Sequence, residues 1–197
     1  MDNYNPHKTA RFRPTDRMTV PARWLLEKVI EPWVMWPKSV LDFGAGKSHD
    51  ASIWMQKTGA FTQGYDEHPH PGFEHRVERP TQSFDLVTMI FVLNIKDSEQ
   101  ERMDAILDAA TFVAPGGLLW VATRSRKHID SQGEDKGWGR TVHGSWISDP
   151  RKGTVQFGMD NDHIIELVNK CGLSDFAPLD LPGRPSSDIG CALFRKA

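Results

Sequence analysis

The run Val40-Leu-Asp-Phe-Gly-Ala-Gly-Lys-Ser constrains this chain more than any other segment. A short apolar strand from Ser39 carries one carboxylate, Asp42, near its end and turns at once through Gly44 and Gly46. Glycine there lets the backbone take angles closed to other residues and lets a ligand approach it closely. A helix is expected from His49 to Thr58, closed by Gly59, and a second strand from Phe61 to Tyr65. Strand, glycine turn, helix and strand in that order make a right-handed parallel unit, and such sheets bind ligands at the carboxyl ends of their strands.

The same alternation continues along the chain. Trp24, Leu25, Val29 and Ile30 space a short amphipathic helix from Val20 to Ile30, with Pro32 expected to stop it. The stretch 67–83, dense in proline and histidine, reads as loop, and Phe84 to Ile90 as a strongly apolar strand running on toward Asn94. Ser98 and Glu101 form a capping box, and behind it Met103, Ile106, Leu107 and Ala110 mark one face of a helix. Pro115-Gly-Gly is expected to end that helix before a strand from Leu118 to Thr123. A last helix from Asn161 to Cys171, capped by Gly172, precedes a late strand through Gly190-Cys-Ala-Leu-Phe. The fold expected is α/β: a Rossmann-like, doubly wound, mostly parallel sheet with helices on both faces. One domain spans 1–197, with 1–37 as an N-terminal cap segment and helix. Residues 124–156 have no clear period and carry Trp138 and Trp146, so they read as a substrate-side insertion or lid.

An apolar fraction of 39% and a charged fraction of 25% suit a globular core, and no run approaches the length of a membrane span. The polar first residues lack the apolar centre of a secretion signal, and Cys171 and Cys191 are too few for a disulfide framework, so a cytoplasmic protein is expected. A formal charge of −2 argues against coating nucleic acid by charge alone. Two basic clusters stand out: Lys8, Arg11, Arg13, Arg17, Arg23 and Lys28 against Asp16 and Glu27, and Arg124, Arg126 and Lys127.

Asp66 falls 20 residues after Gly46, at the end of the second strand, where a carboxylate can take hydrogen bonds from ribose hydroxyls. That pattern serves a dinucleotide or S-adenosylmethionine. His49 stands where the pyrophosphate fingerprint needs its third glycine, and Leu41 where a Walker loop needs its first. Both departures favour the second ligand. V-L-D-F-G-A-G-K, G-Y-D at 64–66, F-D-L-V-T-M-I-F-V-L-N at 84–94 and Pro115-Gly-Gly together resemble the class I S-adenosylmethionine-dependent methyltransferases. His7-Lys-Thr-Ala, the V-L-N segment and Lys152-Gly-Thr-Val-Gln are similar, more narrowly, to DNA phosphorothioation-associated methyltransferases; Lys47-Ser48-His49-Asp50 departs from the Arg-Gly-Asp-Asp usual there.

The resemblance implies that Asp42, Gly44, Ala45 and Gly46 line the methionine end of the cofactor and that Asp66 holds the ribose. It implies Glu67, or the loop through Val77 and Glu78, beside the adenine, and Phe91 and Asn94 at the edge of the acceptor pocket. Lys8 and Arg11 would reach the methionine carboxylate if the N-terminal segment folds over the site. Methyl transfer draws much of its catalysis from proximity and needs no invariant catalytic residue. If a base is used, His143 and His128 are the candidates, and Trp138 and Trp146 would wall a planar acceptor. His68, His70 and His75 lack a zinc spacing, and no metal is expected.

Phe91-Val-Leu-Asn stands where amino methyltransferases of DNA carry an Asn/Asp-Pro-Pro-aromatic run, and neither cysteine follows proline as the cytosine-5 chemistry requires. The expected acceptor is therefore a small molecule or a modified nucleotide. Two other readings stay open: a nucleic-acid methyltransferase linked to DNA modification, drawn from the basic clusters, and a degenerate fold that binds a protein partner, drawn from the seven tryptophans. No membrane partner is expected.

Overall fold

The computed structural model describes residues 16–197; Lys8 and Arg11 lie outside them. Six strands form one sheet in the order β2 (Phe61–Tyr65), β1 (Ser39–Phe43), β3 (Phe84–Ile90), β4 (Val113–Arg124), β9 (Ile189–Lys196) and β8 (Phe176–Pro178). The first four are mutually parallel and β9 runs against both neighbours. Because β1 lies between β2 and β3, the chain leaves it toward one side and returns on the other. That reversal opens a crevice at the carboxyl end of β1.

Alternating side chains divide the core into two faces. Leu118, Trp120 and Ala122 of β4 and Cys191 and Leu193 of β9 pack with α1 (Val20–Leu25), the turn after it, and Trp54 of α3 (Asp50–Thr58). Leu119, Val121, Ala192 and Phe194 face the other way, against α4 (Glu99–Thr111) and α6 (Asn161–Lys170). Each of the Leu, Val and Phe side chains among them contributes about 1.5–3 kcal/mol on full burial. No described helix is long and apolar enough to cross a membrane.

Three expectations need correction. Pro32 does not stop the first helix, which passes through a π-helical turn at Leu26–Ile30 and continues as α2 (Glu31–Trp33). Proline lacks an N–H and its ring crowds the carbonyl four residues back. The wider turn, closed by the Glu31 N–H on the Leu26 carbonyl, carries the chain past that clash, and the helix ends instead at left-handed Val34. In α4 the capping box forms, but Ala109 is buried beside Ile106 and Ala110 while Leu107 is exposed. The face turns because Arg102 is buried too: its guanidinium lies 3.9 Å from the Phe157 ring centroid and donates to the Lys96 and Asp97 carbonyls.

Pro115-Gly-Gly lies inside β4 rather than ahead of it, as an irregularity between the Phe84–Val113 and Leu86–Leu118 pairings. A Cβ on Gly117 would stand 2.8 Å from the Ala114 carbonyl and 3.1 Å from that of Phe84. Gly117→Ala should therefore destabilise the protein by about 1–3 kcal/mol, as overpacking does. A lower urea midpoint at unchanged m-value would register it, and an unchanged midpoint would mean that the irregularity has room to relax.

Candidate functional site

Gly44 and Gly46, at φ 71° and 50°, turn the chain out of β1. The Gly44 and Ala45 N–H groups donate to the Tyr65 carbonyl, tying this turn to the end of β2. A Cβ on Gly44 would come 2.4 Å from a methyl carbon of Val92, so this glycine also answers to close packing with the segment after β3. Asp42 is buried beneath the turn and accepts hydrogen bonds from Ser48 Oγ (2.8 Å) and Thr88 Oγ1 (3.2 Å). Burial, and secondarily the neighbouring Asp50, push its carboxyl up to about 7. Asp50, at the start of α3, accepts from both the backbone N–H and the hydroxyl of Thr19, the cap of α1.

Asp66 accepts from the Gly46 N–H (2.9 Å) and the His68 N–H (3.1 Å), with the His70 ring 3.7 Å away. Arg76, buried on the loop that joins β2 to β3, donates to the Gly46 and Ser48 carbonyls. It stands against Asp42, Asp66 and Asp50, and Phe73 covers its guanidinium at 4.5 Å.

A cavity of about 610 Å³ opens from this turn. Asp42, Gly44, Ala45, Gly46 and Asp66 line one end of it. Phe91, left-handed at φ 61°, and Asn94 line its middle. A bulky residue in that conformation is strained and needs its surroundings to hold it; its N–H donates to Ala122 and the Arg124 guanidinium lies 4.5 Å from its ring centroid. Asn94 Nδ2 donates to Gln156 Oε1 at 2.9 Å, while its buried Oδ1 has no hydrogen-bond partner among the described residues.

The far end is built by residues 126–156: α5 (Arg126–Asp135) is followed by a three-stranded sheet of β5 (Gly139–Arg140), β6 (Trp146–Asp149) and β7 (Thr154–Gln156). His128, Gln132 and Trp138 line the cavity from α5 and its following turn. Gln132 Nε2 lies 2.9 Å from His128 Nε2, and Asp188 lies 3.6 Å from its Nδ1.

Several expected residues lie elsewhere. Glu67 is outside the cavity lining and pairs with Lys96 at 3.5 Å, and Val77 and Glu78 are outside it as well. His143 is exposed on the turn between β5 and β6, away from the cavity. Trp146 supports rather than lines: it packs on Gly133, donates from Nε1 to Asp130 and is covered by Arg140. The second basic cluster divides, with Arg124 facing the cavity and Arg126 paired with Asp130.

Thr19, Ser48 and Asp50, and Lys152, Thr154 and Gln156, line the cavity without having been singled out as site residues. For Thr154 and Gln156 a signal existed: residues two apart share one face of a strand, with Val155 between them on the other. Thr19 and Asp50 are 31 residues apart and had none.

A methyltransferase-domain family model matches residues 17–173. No curated protein sequence matches the chain. Among solved structures, the N-methyltransferase NodS of Bradyrhizobium japonicum, in complex with S-adenosyl-L-homocysteine, aligns over 99% of both chains at 15% identity and TM-score 0.58. A methyltransferase of Clostridium acetobutylicum aligns over 90% of this chain and 91% of its own at 11% identity and TM-score 0.63. The 1,6-didemethyltoxoflavin-N1-methyltransferase of Burkholderia thailandensis aligns over 86% and 75%, at 14% identity and TM-score 0.58. At these identities the likeness is one of fold.

Asp42 has a consequence for stability. A carboxyl raised to about 7 binds its proton more tightly in the folded chain than in the unfolded one. Its stabilisation is therefore complete below about pH 4 and is lost as pH rises through the folded value. In thermal scans without ligand, Asp42→Asn should remove a falling component of Tm across that window. An identical pH slope in both proteins would refute the assignment.

Proposed function

The chain belongs to the methyltransferase-domain family, and on that premise we propose that it transfers a methyl group from S-adenosylmethionine to a small-molecule acceptor. The observation that carries this reading is the single cavity of about 610 Å³ joining the β1 glycine turn and Asp66 to the insertion. Its volume is that of a small-molecule site.

The residues fit such a cofactor. Asp42 and Asp50 offer negative charge to a cationic methionine end, and Asp66 keeps capacity for ribose hydroxyls beyond its two backbone donors. The buried Asn94 Oδ1 waits for a donor that no described residue supplies. The cofactor supplies an electrophilic methyl carbon, which an acceptor heteroatom takes with its lone pair while the electron pair of the broken carbon–sulfur bond stays on sulfur. The chain's own part is orientation and exclusion of water. Phe91 and Asn94 separate the two ends of the cavity, and His128, rather than His143, stands on the wall where a proton leaving an acceptor O–H or N–H would be taken. The didemethyltoxoflavin neighbour holds both an acceptor and S-adenosylhomocysteine in one protein, which accords with a two-ended site.

Lys8 and Arg11 stay within the proposal as partners of the methionine carboxylate, and cytoplasmic action is part of the same reading. A second reading, DNA as acceptor, draws on the Lys152-Gly-Thr-Val-Gln segment, because Lys152, Thr154 and Gln156 all line the cavity. It requires nucleic-acid binding that weakens steeply with salt.

Calorimetric titration with S-adenosylmethionine and S-adenosylhomocysteine tests the main reading. Binding of both is expected, and Asp66→Ala should weaken it by roughly 1.5–3 kcal/mol, the loss of hydrogen bonds to a charged group. No binding of either ligand would sink it.

A further inference from the structure

The charges on the cavity wall are sorted. At the glycine-turn end stand Asp42, Asp50 and Asp66 with Lys47; at the insertion end stand Arg124, Lys136 and Lys152 with Asp149. The first end suits a cation, and the second, facing it across Phe91 and Asn94, has the opposite sign. Complementary potential of this kind selects a ligand by charge.

The insertion end also offers a flat apolar surface. Trp138 lines it, and the Lys136 ammonium lies 5.0 Å from the centroid of its indole ring. An anion bonded to that ammonium would therefore sit beside the ring, within reach of a planar group lying on it. On the wall formed by β6 and β7, Lys152 of the turn joining the two strands lines the cavity together with Thr154 and Gln156 of β7, and Asp149 lies 3.6 Å from its ammonium. Gln156 grips Asn94, so this wall is anchored to the centre of the site. Trp146, Asp130 and Arg140 hold α5 against β6 and keep the two walls in register.

We propose that the acceptor is a planar aromatic molecule bearing an anionic group, a carboxylate or a phosphate, with its ring against Trp138 and its anion between Lys136 and Lys152. This rests on the methyltransferase reading and narrows its acceptor class. The chemistry of the ring and the anion is shared by an aromatic acid and an aromatic phosphate, and probes of both kinds separate them.

The test is calorimetry on the full chain saturated with S-adenosylhomocysteine, titrated with para-hydroxybenzoate, phenyl phosphate and the neutral para-hydroxybenzamide. One anionic probe, at least, should bind about tenfold or more tightly than the amide, and its affinity should fall with salt. The double variant Lys136→Ala, Lys152→Ala should lose that discrimination while still binding S-adenosylhomocysteine, which separates lost recognition from lost folding. Trp138→Ala should weaken all three probes together, and Trp138→Phe should restore much of the loss. An amide that binds as tightly as the anions, a double variant with undiminished preference, or binding of a DNA oligonucleotide but of none of the three probes overturns the inference. Failure to bind S-adenosylhomocysteine at the outset overturns instead the cofactor reading beneath it.

Discussion

Three carboxylates crowd the carboxyl end of β1, and the site depends on how they are held there. Asp42 and Asp50 are buried and Asp66 nearly so, an arrangement that burial alone would penalise by several kcal/mol for each ionised group. Arg76 stands among them and takes the carbonyls of Gly46 and Ser48, so one cation both offsets the charge and fixes the shape of the glycine turn. Ser48 and Thr88 donate to Asp42, Thr19 to Asp50, and the Gly46 and His68 N–H groups to Asp66. The result is an acidic concavity in which Asp42 itself, its carboxyl raised to about 7, changes charge near neutral pH.

The loop that carries Arg76 is equally consequential. Between β2 and β3 the chain makes only a short 3-10 turn at Glu74–Val77, not a full helix, before crossing back over β1. That connection keeps β2 at the sheet edge and brings Phe73, Arg76 and His70 against the glycine turn. The opposite side of the cavity is closed by the insertion, whose small sheet is not continuous with the main one. The two segments meet the doubly wound sheet at the place where its strand order reverses. The glycine-turn end and the α5–β7 end of the cavity are thus assembled from separate segments around Phe91 and Asn94.

How much of this was legible depended on the range of the interaction. Strands Ser39–Phe43, Phe61–Tyr65 and Phe84–Ile90, and the Ser98 capping box, came from local apolar runs and cap chemistry and are present. The third strand stops at Ile90 instead of running on toward Asn94, because Phe91 turns left-handed and a 3-10 turn follows at Leu93–Ile95. Pro32 misled because a π-helical turn relieves the clash that proline creates. Leu107 misled because a buried Arg102 turned the helix face. The insertion had no single period because it holds one helix and three very short strands, each too brief to impose one. His143 and Trp146 were chosen by chemistry alone, and only the packing of α5 on β6 decides that Trp138 lines the cavity while Trp146 lies beneath Gly133.

The chain by itself determined the alternation of strand and helix, the glycine turn and the acidic residue at the end of each of the first two strands. Those follow from side-chain periodicity and backbone freedom, which act between near neighbours. Only the tertiary structure decided which charges share one wall. Thr19 reaches Asp50 across 31 residues, Asn94 reaches Gln156 across 62, and Arg76 reaches Gly46 across 30. Contacts at such separations leave no period in the sequence, because they are set by how the crossovers stack on the sheet rather than by the residues between.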